Sequence, residues 1–128
     1  MRALLDTNVF LWFDLEQQRL SPGARDFIAD GTNDLVLSAA TAWEIAIKHA
    51  KGQLKLPDQP EAYVALRMGL DDLDPLPIEL SHALRAGTLP PIHRDPFDRL
   101  LVAQSQLEDL PILTPDPNIA RYRVSVIW

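Results

Sequence analysis

The stretch "ALLDTN" (residues 3–8) sets three apolar residues directly before an acid. Such a run reads as a short buried strand, and a carboxylate at its end is costly unless something compensates it. Similar runs recur: "DLVLS" (34–38), "PILT" (111–114) and "RVSVIW" (123–128) read as further strands, rich in Leu, Val and Ile without polar alternation. Helical segments separate them. "VFLWF" (9–13) starts one, and "SPGARDFIAD" (21–30) has Ser21 as N-cap and Pro22 in the first position. "AATAWEIAIKHAKG" (39–52) carries Trp43, Ile47 and Ala50 on one stripe and stops at Gly52. "PEAYVALRMGL" (60–70), "SHALRAG" (81–87) and "FDRLLVAQSQLED" (97–109) complete the helices, with the loop "TLPPIHRDP" (88–96) before the last. The two prolines of "DPLPIEL" (74–80) make a poor strand, suited to a sheet edge or simply extended. Apolar strands separated by helices predict an α/β fold of three layers, α/β/α, around a mainly parallel sheet covered on both faces.

Composition narrows the chemistry. A chain of 128 residues with 47% hydrophobic residues has the size and core of one domain, residues 1–128. No apolar run approaches the roughly 18 residues of a membrane span, and no signal peptide is recognisable, so no membrane association and a cytoplasmic location are expected. The chain has no cysteine, which removes disulfides and thiolate chemistry; a metal would be held by oxygen or imidazole. His49, His82 and His93 show no ligand spacing. A net charge of −6 argues against a long electrostatic footprint on nucleic acid and leaves room for a short one.

In open α/β sheets, sites form beyond the carboxyl ends of the strands, near the switch in strand order. Asp6 ends the first strand, Glu44 lies early in the helix after the second, Asp98 opens the helix after the proline loop, and Asp116 follows "PILT". Four carboxylates from four segments are therefore expected at one edge. Each has a structural alternative. Asp6 and Asp116 suit Asx-turns or N-caps, Glu44 and Lys48 suit an exposed i, i+4 pair, and in "DPFD" Asp95 reads as N-cap with Asp98 at N3. His93 and Arg94 read as loop surface, and the three Trp as core or subunit interface rather than base-stacking platforms.

Taken in order, "LLDTNVFLW", "SAATAWEIAIKHAKGQLKL", "HRDPFDRLLVAQS" and "ILTPDPNI" resemble the motif blocks of PIN-domain ribonucleases, in particular the VapC-type toxins of bacterial toxin–antitoxin pairs. The resemblance spans nearly the whole chain. It implies a PIN-like fold and a metal-dependent endoribonuclease whose catalytic and metal-binding residues are Asp6, Glu44, Asp98 and Asp116, with Thr7, Asn8, Ser38 and Thr114 hydrogen-bonded around them. Asp95 leaves the third position open to a one-turn ambiguity. Crowded carboxylates repel until a cation joins them, and Mg²⁺ or Mn²⁺ suits an all-oxygen site and can activate water; the resemblance implies RNA cleavage that leaves a 5′-phosphate and a 3′-hydroxyl.

Asn8, Arg94 and Arg99 are the expected substrate contacts, with His93 flanking the third acid beside the two arginines and Lys48, Lys51 and Lys55 as further cations near the site; a solvated face is the alternative. The expected partners are RNA, a cognate antitoxin and a second copy in a homodimer, using apolar surface at Val9, Phe10, Trp12 and Phe13 and at Tyr63, Leu66 and Leu70. Two rival functions remain. One is a non-catalytic RNA- or protein-binding module of the same fold. The other is an aspartyl-nucleophile phosphohydrolase, in whose haloacid-dehalogenase-like form a second Asp would stand where this chain has Asn8.

Overall fold

The computed structural model describes residues 1–128 throughout. Five short strands, β1 (Arg2–Leu5), β2 (Asp34–Ser38), β3 (Asp74–Leu76), β4 (Ile112–Leu113) and β5 (Val126–Ile127), form one sheet in the order β3-β2-β1-β4-β5. Every pairing is parallel. In register, Leu4 of β1 stands opposite Val36 and Ile112. The two-residue period of a strand then sends Leu4, Val36 and Ile112 to one core and Leu5, Leu35, Leu37 and Leu113 to the other. Both faces are apolar because both are covered, which is why these strands lack polar alternation.

The helices are α1 (Thr7–Leu15), α2 (Pro22–Ala29), α3 (Ala39–Ala50), α4 (Pro60–Leu70), α5 (Leu80–Thr88), α6 (Pro96–Glu108) and α7 (Pro117–Ala120). Val9, Phe10 and Leu11 of α1, Ala24 of α2, Ile45 of α3 and Tyr63 of α4 fill the first core. Leu101 and Val102 of α6 and Ile119 of α7 fill the second, with α5 packed on α6. Since β2 and β4 flank β1, the chain reverses its direction of growth beside β1, and the carboxyl end of β1 is the position where open α/β sheets place their sites.

Several expectations are refined. In "DPLPIEL" only Asp74–Leu76 joins the sheet, at its edge, where the missing N–H of Pro75 costs least. The last two strands shrink to two residues each, and a one-turn helix, α7, begins directly behind Asp116, whose N-cap reading it bears out. The largest departure is α3. Its buried residues are Ala40, Thr41, Glu44 and Ile45, whereas Trp43 and Ala50 are exposed and Ile47 is half-buried. Hydrophobicity misplaced the inner face because that face carries polar residues of the site. Val9, Phe10 and Tyr63, expected on a partner surface, belong instead to the core; Leu66 and Leu70 remain exposed.

Candidate active site

Asp6 is the first residue past β1 and the N-cap of α1. Its Oδ1 accepts the Asn8 N–H at 3.4 Å, and its Oδ2 accepts the Thr114 hydroxyl. That hydroxyl also accepts the Asp116 N–H at 3.0 Å, so Thr114 fixes two acids at once. Asp116 in turn caps α7, its Oδ1 accepting the Asn118 N–H at 2.8 Å. The capping and site readings of these acids are thus compatible, because a carboxylate has two oxygens and each cap uses one. Glu44 is buried on the inner side of α3. Its Oε1 accepts the Thr7 hydroxyl at 2.8 Å, Thr7 lies 3.0 Å from the Thr41 hydroxyl, and its Oε2 pairs with Lys48. The i, i+4 pair therefore exists, but its acid faces inward.

Asp95 and Asp98 separate cleanly. Asp95 is the N-cap of α6, accepting the Phe97 N–H at 2.8 Å and the Asp98 N–H at 3.4 Å. Asp98, in the first turn, projects toward the strand ends, where burial and the neighbouring charges of Asp6, Asp95 and Glu44 push its pKa up to about 7 against the opposing influence of His93. Burial raises the pKa of Asp6 as well; the bonds from Thr114 and Asn8 counter this, while Asp116 and Glu44 add to it. For Lys48, burial opposes the charge, but the bond to Glu44 and the fields of Asp95 and Asp98 raise its pKa. Carboxylates from four segments are strained electrostatically against one another at the strand-order switch.

The PIN-domain model matches residues 3–124. The chain belongs to the PIN-domain family. Ribonuclease VapC16 of Mycobacterium tuberculosis is 40% identical over 58 residues, a stretch covering 45% of this chain and 41% of that relative, less than half of either. In fold, this PIN domain is similar to VapBC2 from Rickettsia felis bound to a DNA fragment from their promoter, with a TM-score of 0.69, 12% identity and coverage of 98% of this chain and 97% of that one. DNA-bound VapBC from Salmonella typhimurium gives a TM-score of 0.68 at 17% identity, covering 98% and 96%. A toxin–antitoxin complex from Klebsiella pneumoniae gives 0.65 at 19%, with the same coverage.

A divalent cation suits the donor set of this PIN domain. Carboxylate oxygens predominate, and the buried acids of raised pKa lack the positive charge that would let them all ionise. One ligand atom each from His93, Asp98 and Asp116 lies within 4.8 Å of the others, near enough to share one ion. His93, which sequence allowed either on the loop surface or flanking the third acid, is thus brought into the site. Its Nε2 lies 2.9 Å from Asp116 Oδ2 and 3.0 Å from Asp98 Oδ2. Nδ1 accepts the Asp95 N–H at 3.2 Å, which favours the proton on Nε2 and a donor role toward the acids; binding an ion through Nε2 requires the other tautomer and the loss of that bond. The signal for it in sequence was only its place two residues before a helix cap.

Arg99, an expected substrate contact, is engaged within the chain. Its guanidinium donates to the carbonyl oxygens of Ala86, Leu89, Pro90 and His93 and reaches the Tyr122 hydroxyl, strapping the loop 88–96 to α6. Ser38 caps α3 through the Ala40 N–H and donates to Gln104, touching none of the four acids. Arg94 and Asn8 are exposed beside the site. Thr41 was missed because a single threonine within a helix carries no distinguishing pattern.

Proposed function

We propose that this chain is a divalent-metal-dependent endoribonuclease that cleaves RNA phosphodiester bonds, and that it is the toxin of a toxin–antitoxin pair. The observation that carries the reading is the convergence of Asp6, Glu44, Asp98 and Asp116 at the strand-order switch, with the pKa of Asp98 raised to about 7. The partial likeness to a VapC ribonuclease supports the choice of substrate. Asp6, Asp98 and Asp116, with Glu44 beside them, would hold Mg²⁺ or Mn²⁺, which when bound supplies a hydroxide-generating Lewis acid and neutralises charge at the phosphate. The chain's own residues do the positioning. Thr114 aims Asp6, Thr7 and Lys48 aim Glu44, and the Asp95 cap aims Asp98. Without the cation, burial and the neighbouring acids favour the protonated carboxyl of Asp98.

The test is direct. Purified protein should cut RNA with Mg²⁺ or Mn²⁺, leave 5′-phosphate ends, and stop on chelation; undiminished cutting in excess EDTA refutes it. The toxin role is supported by the toxin–antitoxin complexes of like fold, and it assigns the exposed leucines Leu66 and Leu70 of α4 to an antitoxin helix or a second copy. Light scattering at high micromolar concentration, with and without the product of an adjacent small gene, checks both partners. A strict monomer that binds nothing argues against them.

A further inference from the structure

Two helices that bring acids to the site each bring an aromatic ring beside it: Trp43 immediately precedes Glu44 on α3, and Phe97 immediately precedes Asp98 on α6. The rings meet edge-to-face with centroids 5.2 Å apart and planes at 81°, a favoured aromatic geometry. Trp43 nevertheless remains 55% exposed. The inner side of α3 is taken by Thr41 and Glu44, so this large side chain is turned out to the rim and held there by Phe97. The result is a braced apolar plate, open to solvent, beside a cluster of carboxylates.

A strand of RNA approaching that cluster meets few free cations: Arg94 is exposed beside the third acid, and Lys51 and Lys55 are exposed beyond the end of α3. The chain carries −6, Lys48 is paired with Glu44, and Arg99 is spent on backbone carbonyls. Phosphate neutralisation, which ordinarily dominates affinity for nucleic acid, therefore rests on few side chains here. Stacking of bases on aromatic rings is the contribution that needs no charge.

We propose that Trp43, braced by Phe97, is a stacking platform for a nucleobase of single-stranded RNA adjoining the scissile phosphate. This rests on the ribonuclease reading above. Stacking at the rim anchors the strand by a base and leaves the neighbouring phosphate free to face the acids and their cation. It also selects single strands, since a base paired within a duplex has its faces covered.

The experiment is a cycle of protein and substrate changes, using a single-stranded RNA oligonucleotide that spans a mapped cleavage site and versions with one abasic nucleotide at each flanking position. With wild-type protein, one abasic position should raise KM between about 5- and 150-fold, the range a single base–aromatic stack contributes. Trp43→Ala should raise KM similarly on intact RNA with little change in kcat, and that abasic position should cost it nothing more. Trp43→Phe should keep most of the wild-type behaviour. If Trp43→Ala fails to fold, Trp43→Phe and the abasic scan on wild-type protein decide: a scan with no sensitive position overturns the proposal. So do equal abasic penalties in wild type and Trp43→Ala, or a Trp43→Ala variant that changes self-association while its KM stays the same, which would mean that protein covers the ring. In those cases wild-type cleavage still stands, and only the platform falls. Wild-type protein that cuts no RNA with metal removes both readings together.

Discussion

Asp98 occupies the first turn of α6 because Asp95, three residues before it, has already satisfied the free N–H groups there. Capping and charge placement are thereby divided between two acids one turn apart, and their substitutions should diverge. Asp95→Asn keeps a capping oxygen and should be mild, whereas Asp95→Ala should lose about 1 kcal/mol of stability while retaining cleavage. Asp98→Asn should lower the cleavage rate by orders of magnitude yet raise the melting temperature of the metal-free protein at pH 8, because it removes a charge that burial and its neighbours disfavour. Rates and melting curves of the three variants check this, and a dead Asp95→Asn with an active Asp98→Asn would exchange the two roles. Thr114 invites a similar comparison. Thr114→Val leaves an oxygen of Asp6 and the N–H of Asp116 without their shared partner, and should cost about 1–3 kcal/mol in a denaturant melt as well as activity.

At the scale of elements, the loop 88–96 between α5 and α6 owes its shape to Arg99. One guanidinium gathers carbonyls from the end of α5, from the loop and from His93, and it reaches the hydroxyl of Tyr122, which itself donates to Pro90 O at 2.9 Å and accepts from His93 N–H at 2.8 Å. Lysine cannot reproduce that fork. Arg99→Lys should therefore destabilise by on the order of 2 kcal/mol, measured by denaturant melting, because carbonyls lose a charged donor. The salt dependence of RNA affinity should not change, since no phosphate contact is lost; a shallower salt slope would return Arg99 to the substrate. Helix α3 teaches a related lesson. Its apolar residues do not mark its inner face, because the groups that Glu44 and Thr41 must meet lie on the sheet side.

Across the whole molecule, the acids at the sheet edge tie stability to pH and metal. The folded pKa of Asp98, about 7, lies above the ordinary carboxylate value. Between about 4 and about 7 the folded chain thus holds a proton that the unfolded chain has released, so stability falls as pH rises through this window and stays reduced above it. The metal-free protein should melt at a higher temperature at pH 5 than at pH 8. Mg²⁺ or Mn²⁺ should raise the melting temperature more at pH 8, where the site is ionised and ready to bind, than at pH 5. A metal effect independent of pH would place the ion elsewhere.

The parallel sheet, the helix starts at Pro22, Pro60 and Pro96, the caps at Ser21 and Asp95 and the family motif blocks were all legible in the sequence, because they rest on local rules: strand and helix periodicity, the fixed φ of proline, and the short reach of a capping side chain. The four acids were legible as candidates from the motif blocks, and Asp6 also from its place directly after a buried strand, where a carboxylate has few places to point. Tertiary structure alone decided the rest. His93, Thr41 and the exposed Trp43 take their positions from neighbours far away in the chain, and so does Arg99 from Tyr122. A loop histidine or a helix arginine is chemically able to serve either surface or site, and only the packing of distant segments chooses between them.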